Sequence, residues 1–213
     1  MIIASLAGRV DGDVTGLAGT VTVNGGDMKL RATVSDTSIQ YGPSLSFSSI
    51  SLEKPGSFIV DFIPQDKDVR FQFMNTARVM DKPLNLTYTH SRGANKTVLD
   101  GSLVIDPANK VSLNHAVGSN NFRLKYNYLH KGNTTFEPTY DFSKNAWDLA
   151  VSQRVFGDDV VRASYQSSSK ILGLEYRKMR SVNGSFKVSA SVNLSEPSKF
   201  PKLSGESTLS FEM

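Results

Sequence analysis

Apolar and polar residues alternate with a period of two along most of the chain. In Met28-Lys29-Leu30-Arg31-Ala32-Thr33-Val34 the apolar side chains fall on one side and Lys29, Arg31 and Thr33 on the other. Phe122-Arg123-Leu124-Lys125-Tyr126-Asn127-Tyr128 repeats the pattern, as does Phe186-Lys187-Val188-Ser189-Ala190-Ser191-Val192. A β-strand turns successive side chains to opposite faces, so each segment predicts a strand with one greasy and one wet surface. Val69 to Met74, Leu84 to Thr89, Val111 to Val117, Trp147 to Ser152, Val161 to Gln166, Leu172 to Arg177 and Leu209 to Met213 read the same way. No segment of comparable length carries helical spacing, and the fold class is all-β.

Turn signals interrupt these runs at short intervals. They are Asp11-Gly12, Asn24-Gly25-Gly26, Lys54-Pro55-Gly56, Asp106-Pro107-Ala108-Asn109, Lys131-Gly132-Asn133, Gly157-Asp158-Asp159 and Asn183-Gly184. Asn-Gly and Asp-Gly supply the positive φ angles that tight hairpins need. The chain therefore reads as an antiparallel meander, a single domain over residues 1–213. At ~9–11 residues per membrane strand it accommodates about 12–14 strands. Ser35 to Ser46 is a long loop or an irregular strand, and Glu196 to Lys202 is the last loop before the closing strand.

Alternation fits two architectures. A soluble β-sandwich turns its apolar faces inward, whereas a transmembrane β-barrel turns them to lipid. Three features favour the barrel. The polar faces keep one character along the meander, as a shared lumen requires. Aromatics fall on the apolar side near strand ends: Phe122, Tyr126, Tyr128, Phe136, Tyr140, Phe142, Trp147, Tyr165, Tyr176 and Phe211. Strands reach both chain ends, so the first and last can pair and close the sheet.

Composition sets the outer limits. There is no cysteine, which excludes disulfides and thiolate metal sites. A formal charge of +4 is too mild for a dedicated nucleic-acid binder. No run approaches the roughly 18 apolar residues of a membrane helix, which says nothing against membrane strands. Met1 to Arg9 is too short and apolar for a signal peptide and lacks the Arg- and Ser-rich character of a transit peptide.

The stretch Arg70-Phe71-Gln72-Phe73-Met74-Asn75-Thr76-Ala77-Arg78-Val79, followed by Asp81-Lys82-Pro83-Leu84-Asn85-Leu86-Thr87-Tyr88-Thr89-His90-Ser91-Arg92-Gly93, resembles the chloroplast outer envelope pore proteins of the 24 kDa class. Lys144-Asn145-Ala146-Trp147-Asp148, Arg162-Ala163-Ser164-Tyr165-Gln166, Leu172-Gly173-Leu174-Glu175-Tyr176 and the terminal Phe211-Glu212-Met213 extend the resemblance from end to end. It implies a barrel of the plastid outer envelope, inserted without a cleavable transit peptide. It also implies a high-conductance, weakly selective channel for triose phosphates, sugars, dicarboxylates, amino acids, phosphate and ATP. The partners are then membrane lipid and small charged metabolites in transit, with a homo-oligomer left open and no cofactor. The alternative is a soluble β-sandwich or a lipid- or ligand-binding barrel acting as a binding module.

With the apolar side toward lipid, alternation sends the other side to the pore. That assigns Lys29, Arg31, Arg70, Arg123, Lys125, Arg154, Arg162, Arg177 and Lys187 to the lumen, with the acids Asp61, Asp100, Asp148, Glu175 and Glu212. The basic excess predicts low selectivity with some help for anions, because salt screens charges over roughly 8 Å in a wide wet channel. The competing reading is that many of these charges pair across neighbouring strands and hold the lumen open.

Other constellations carry no chemistry. His90, His115 and His130 lack metal-ligand spacing. There is no nucleophile elbow, no phosphate-cradling loop and no dinucleotide fingerprint. Five glycosylation sequons, at Asn85, Asn95, Asn133, Asn183 and Asn193, are chance matches in a Ser/Thr/Asn-rich chain.

Overall fold

A computed structural model of the chain describes residues 1–12, 14–35, 47–180, 184–196 and 200–212. Its first strands are β1 (Ile2–Asp11), β2 (Val14–Gly25), β3 (Met28–Ser35), β4 (Ser49–Lys54), β5 (Phe58–Ile63) and β6 (Asp68–Val79). There follow β7 (Lys82–Ser91), β8 (Lys96–Val104), β9 (Asn109–Ala116), β10 (Asn121–His130), β11 (Thr134–Phe136) and β12 (Thr139–Asp141). The last are β13 (Ala146–Arg154), β14 (Val160–Gln166), β15 (Ile171–Arg180), β16 (Gly184–Asn193) and β17 (Lys202–Glu212). All lie in one antiparallel sheet in which strands adjacent in sequence pair, except β11 and β12, which both pair with β10 and β13.

The sheet closes on itself. Strand β1 pairs with β2 on one side and with β17 on the other, from Ile3↔Glu212 to Asp11↔Ser204. Both chain ends thus sit in strands that meet, as their patterns predict, and no edge is left to recruit another chain. Of the stretch left open between a loop and an irregular strand, residues 36–46 lie outside the described ones. The last loop falls where expected, between Asn193, which ends β16, and Lys202, which begins β17.

Strands β11 and β12 are two halves of one. Both lie between β10 and β13 in an unbroken register, with Tyr128↔Phe136 and Lys125↔Thr139 on one flank. Phe136↔Val151 and Thr139↔Asp148 continue it on the other. Pro138 lacks the N–H that a ladder uses and so removes one bond without shifting the register. Its carbonyl still accepts from Tyr126 N at 3.0 Å, and Glu137 N donates to Ala150 O at 2.8 Å. Among the described residues the barrel therefore has sixteen strands, more than the 12–14 that average strand length suggests. Strands β4 and β5 have only six residues each, and several hairpins turn without a Gly dipeptide.

The β6–β7 hairpin is the clearest of these. Met80 and Asp81 both take positive φ, 49° and 60°, which is the signature of a two-residue type I′ turn. Neither residue favours that region as Asn and Gly do. Replacing them together (Met80→Asn with Asp81→Gly) should stabilise the barrel by about 1 kcal/mol, read as a higher urea midpoint in detergent. An unchanged midpoint would mean the turn is not strained. The turn at Asp106, by contrast, carries its own lock. Asn109 Nδ2, Ala108 N and Asn109 N all donate to its carboxylate at 2.8–2.9 Å and hold that carboxyl below the usual range.

The two faces of the sheet differ sharply. Register pairs put Leu30, Leu52, Val60 and Phe71 on one face, and Arg31, Ser51, Asp61 and Arg70 on the other. The apolar face is the more exposed one, with Phe73 at 51%, Leu174 at 56% and Leu209 at 47%. In a closed sheet the convex side is the open side, so these side chains point outward. Only Ala146 and Ala150 are buried hydrophobics among the described residues. A soluble domain of this length would hide a large apolar core, so a two-sheet sandwich is ruled out. An apolar ligand cavity is ruled out as well, because the inward face carries the charges. All ten aromatics named above fall on the outer face, where Tyr140 packs against Trp147 at 4.9 Å and Phe142 at 4.8 Å.

Candidate functional site: the barrel interior

Sixteen strands spaced ~4.8 Å apart and tilted ~40° enclose a barrel roughly 30 Å across between backbones. Barrels of sixteen to eighteen strands leave an aqueous channel rather than a filled core. Inward positions are set by the alternation already described, and the register decides which of them become neighbours.

Arg31 of β3 reaches Glu53 of β4, Nη2 to Oε2 at 3.1 Å. Arg70 of β6 donates to Asp61 of β5 through Nη2 at 2.7 Å and Nε at 3.0 Å. Arg123 of β10 donates through Nε to Asp141 of β12 at 2.8 Å. Arg177 and Glu175 pair within β15 at 2.9 Å, and Lys187 of β16 meets Glu206 of β17 at 3.0 Å.

One carboxylate serves two bases. Glu137, between β11 and β12, receives Lys125 Nζ of β10 at 2.6 Å on Oε1 and the Arg162 guanidinium of β14 on Oε2. Asn127 Nδ2 also donates to Oε1 at 3.1 Å, and Ser152 Oγ takes a further Arg162 hydrogen at 3.2 Å. The Glu137 side chain is nearly buried while its two bases stay more than a third exposed. The cluster ties β10, β11–β12, β13 and β14 together across the inner wall.

All fourteen charged residues that alternation selects lie by register on one face of the sheet, the polar one. Seven of the nine bases are ion-paired: Arg31, Arg70, Arg123, Lys125, Arg162, Arg177 and Lys187. Lys29 and Arg154 have no carboxylate partner among the described residues. Asp100 accepts from Asn114 Nδ2 at 2.5 Å. Asp148 lies in register between Thr139 and Gln166 without an ion pair, and Glu212 lies opposite Ile3. Most charges on this face are thus ion-paired with a neighbour, chiefly across adjacent strands.

Four of the pairing acids are missing from the assignment made on the sequence: Glu53, Glu137, Asp141 and Glu206. Glu53 and Glu206 follow the period of their strands and could have been read from it. Glu137 is hidden by the adjacent Pro138, which breaks the strand pattern, and Asp141 merges into the polar turn that follows it. The useful signal would have been cross-strand complementarity: a base in one strand demands an acid in the next.

A pore family matches this chain over residues 2–212, the one described as outer envelope pore protein 24. The chain belongs to that family. Relatives in the outer envelope pore protein 24 family include outer envelope pore protein 24B, chloroplastic, of Arabidopsis thaliana, 55% identical over 99% of this chain and 98% of that one. The outer envelope pore protein 24, chloroplastic, of Oryza sativa subsp. indica is 45% identical over 99% of both chains. Membership places the protein in the outer envelope of the chloroplast, embedded in the membrane, and makes it a pore protein and not an enzyme.

Solved structures extend the likeness in fold alone. A triple mutant of the Rhodopseudomonas blastica porin superposes with a TM-score of 0.63 at 9% identity, covering 99% of this chain and all of that one. The Acinetobacter baumannii outer membrane protein Omp33 gives 0.55 at 10% identity, over 99% and 97% of the two chains. An outer envelope pore protein 24 thus shares the porin architecture while sharing almost none of its sequence.

Proposed function

We propose that this pore passes small hydrophilic solutes by diffusion with low selectivity and a slight preference for anions. The solutes are triose phosphates, sugars, dicarboxylates, amino acids, phosphate and ATP. One observation carries the reading: a closed sixteen-strand ring exposes its apolar residues outward and sets paired charges inward. Pairing cancels most of the inner field, which explains low selectivity better than a bare count of bases would. On that face the bases without an ion pair among the described residues, Lys29, Arg78, Lys96, Lys110, Arg154 and Lys202, outnumber the acids without one, Asp68, Asp100, Asp148 and Glu212, and supply the residual positive bias.

The lining is tested with the protein's own lack of cysteine. Single cysteines placed at Arg31 or Lys187 should react with a charged, membrane-impermeant thiosulfonate and change the single-channel conductance. Cysteines at the outward neighbours Leu30 or Val188 should leave it unchanged. Reaction at the second pair and silence at the first would place the pore on the wrong face. For the solutes, proteoliposomes should release a triose phosphate, a neutral hexose and ATP at comparable rates; retention of all three overturns the proposal.

A further inference from the structure

Gly101 lies on the outer, apolar face of β8, between Leu86 of β7 and Leu113 of β9. Glycine weakens a strand interior and marks a bulge, a bend or a surface that something else approaches closely. The register runs unbroken from Leu86 through Gly101 to Leu113, so there is no bulge. Its φ is not in the left-handed region, so the backbone does not demand glycine. A Cβ added there would meet nothing nearer than Leu86 Cδ2 at 3.7 Å, an ordinary contact. The chain's own packing does not demand glycine either.

The missing side chain instead opens a groove of about 750 Å³ across β6 to β10. Phe73, Leu86, Tyr88, Leu99, Leu113 and Phe122 wall it. On the β10 side the Phe122 ring stacks on His115, centroids 3.9 Å apart. On the β6 side it is lined by Asn75, an exposed amide on an otherwise greasy surface. Asn75 Oδ1 accepts from Thr76 N at 2.8 Å, while Nδ2 has no partner among the described residues. In a membrane an unpaired amide donor is costly, so this one calls for an acceptor from outside the chain.

We propose that the groove seats one acyl chain of a membrane glycerolipid, with an ester carbonyl of that lipid accepting from Asn75 Nδ2. The inference rests on the reading that the outer face meets the bilayer, which already supplies the occupant: lipid covers this belt, and an acyl chain is slim enough to lie against the Gly101 Cα. The site would hold a lipid more tightly than the rest of the apolar belt.

Native mass spectrometry tests it on delipidated barrel refolded in detergent and given dioleoylphosphatidylcholine at a few molecules per barrel. One lipid should stay bound to the wild-type chain. Gly101→Leu fills the groove and should cut occupancy roughly tenfold, and Asn75→Leu, which keeps the apolar wall, by roughly threefold. Gly19→Leu, at an outward glycine of β2, should leave occupancy unchanged, and a conducting barrel verifies the fold of each variant. No retained lipid, or equal loss in Gly101→Leu and Gly19→Leu, overturns the proposal. So does a doubled mass that Gly101→Leu abolishes, which would assign the groove to a second copy. A chain that is soluble without detergent would sink the membrane reading itself, whereas a detergent-requiring, conducting barrel with no lipid sinks only this inference.

Discussion

Glu137→Gln should make the pore distinctly more anion-selective. Glu137 is the shared counter-charge of Lys125 and Arg162, so neutralising it exposes two bases at once. The change adds one net positive charge to the lumen. At ~10 Å in water a unit charge is worth about 0.4 kcal/mol to a passing ion, roughly a factor of two in its local concentration. Anions gain about that factor and cations lose it, so the anion-to-cation permeability ratio should rise up to about fourfold at low salt, read as a shift in reversal potential across a salt gradient and shrinking as salt is raised. The glutamine still accepts from Asn127, so the barrel should fold. Lys125→Gln with Arg162→Gln, two positive charges fewer, should move the potential the other way, and the triple variant, one positive charge fewer, should lie between that double variant and wild type. A reversal potential indifferent to all three would mean that this cluster does not face the permeating ions.

The largest effect on stability should come from Asp141→Ala. Asp141 is only 1% exposed, and each carboxylate oxygen is committed. Oδ1 accepts from Ser143 N at 3.0 Å, Ser143 Oγ at 2.6 Å and Lys144 N at 3.1 Å, pinning the turn into β13. Oδ2 takes Arg123 Nε at 2.8 Å. Alanine strands the turn donors and the guanidinium together, which should cost about 3 kcal/mol. Asp141→Asn keeps an oxygen for the turn and loses the ion pair, so it should cost about 1 kcal/mol. Urea midpoints followed by circular dichroism in detergent measure both. An alanine variant as stable as wild type would show that the β12–β13 turn holds without its carboxylate.

Strand identity was written in the sequence wherever alternation ran uninterrupted, as in Met28–Val34 and Phe122–Tyr128. It was faint where the turn chemistry was unusual. Nothing about Met80-Asp81 announces a type I′ turn, and Pro138 makes a continuous strand look like a loop. The first left its flanking strands legible, whereas Pro138 and the short β4 and β5 hid theirs, so the barrel has sixteen strands and not 12–14. The inward charges were legible for the same reason as the strands, since one period fixes both. Their partners were not, because pairing depends on register between strands, and register is a property of the closed sheet. Glu137 is the instructive case: its own local pattern is broken, yet three neighbouring strands converge on it. Gly101 escaped for a related reason, because a glycine in one strand means little until the leucines of β7 and β9 are known to flank it.

The central claim is that this closed barrel is an open, water-filled path through a membrane. A planar-bilayer recording of purified protein under a salt gradient tests it most directly. The account predicts discrete, large conductance steps with a reversal potential close to zero and displaced slightly toward anions. Absence of steps from protein that has folded and inserted, or a reversal potential at the equilibrium value of a single ion, would contradict it.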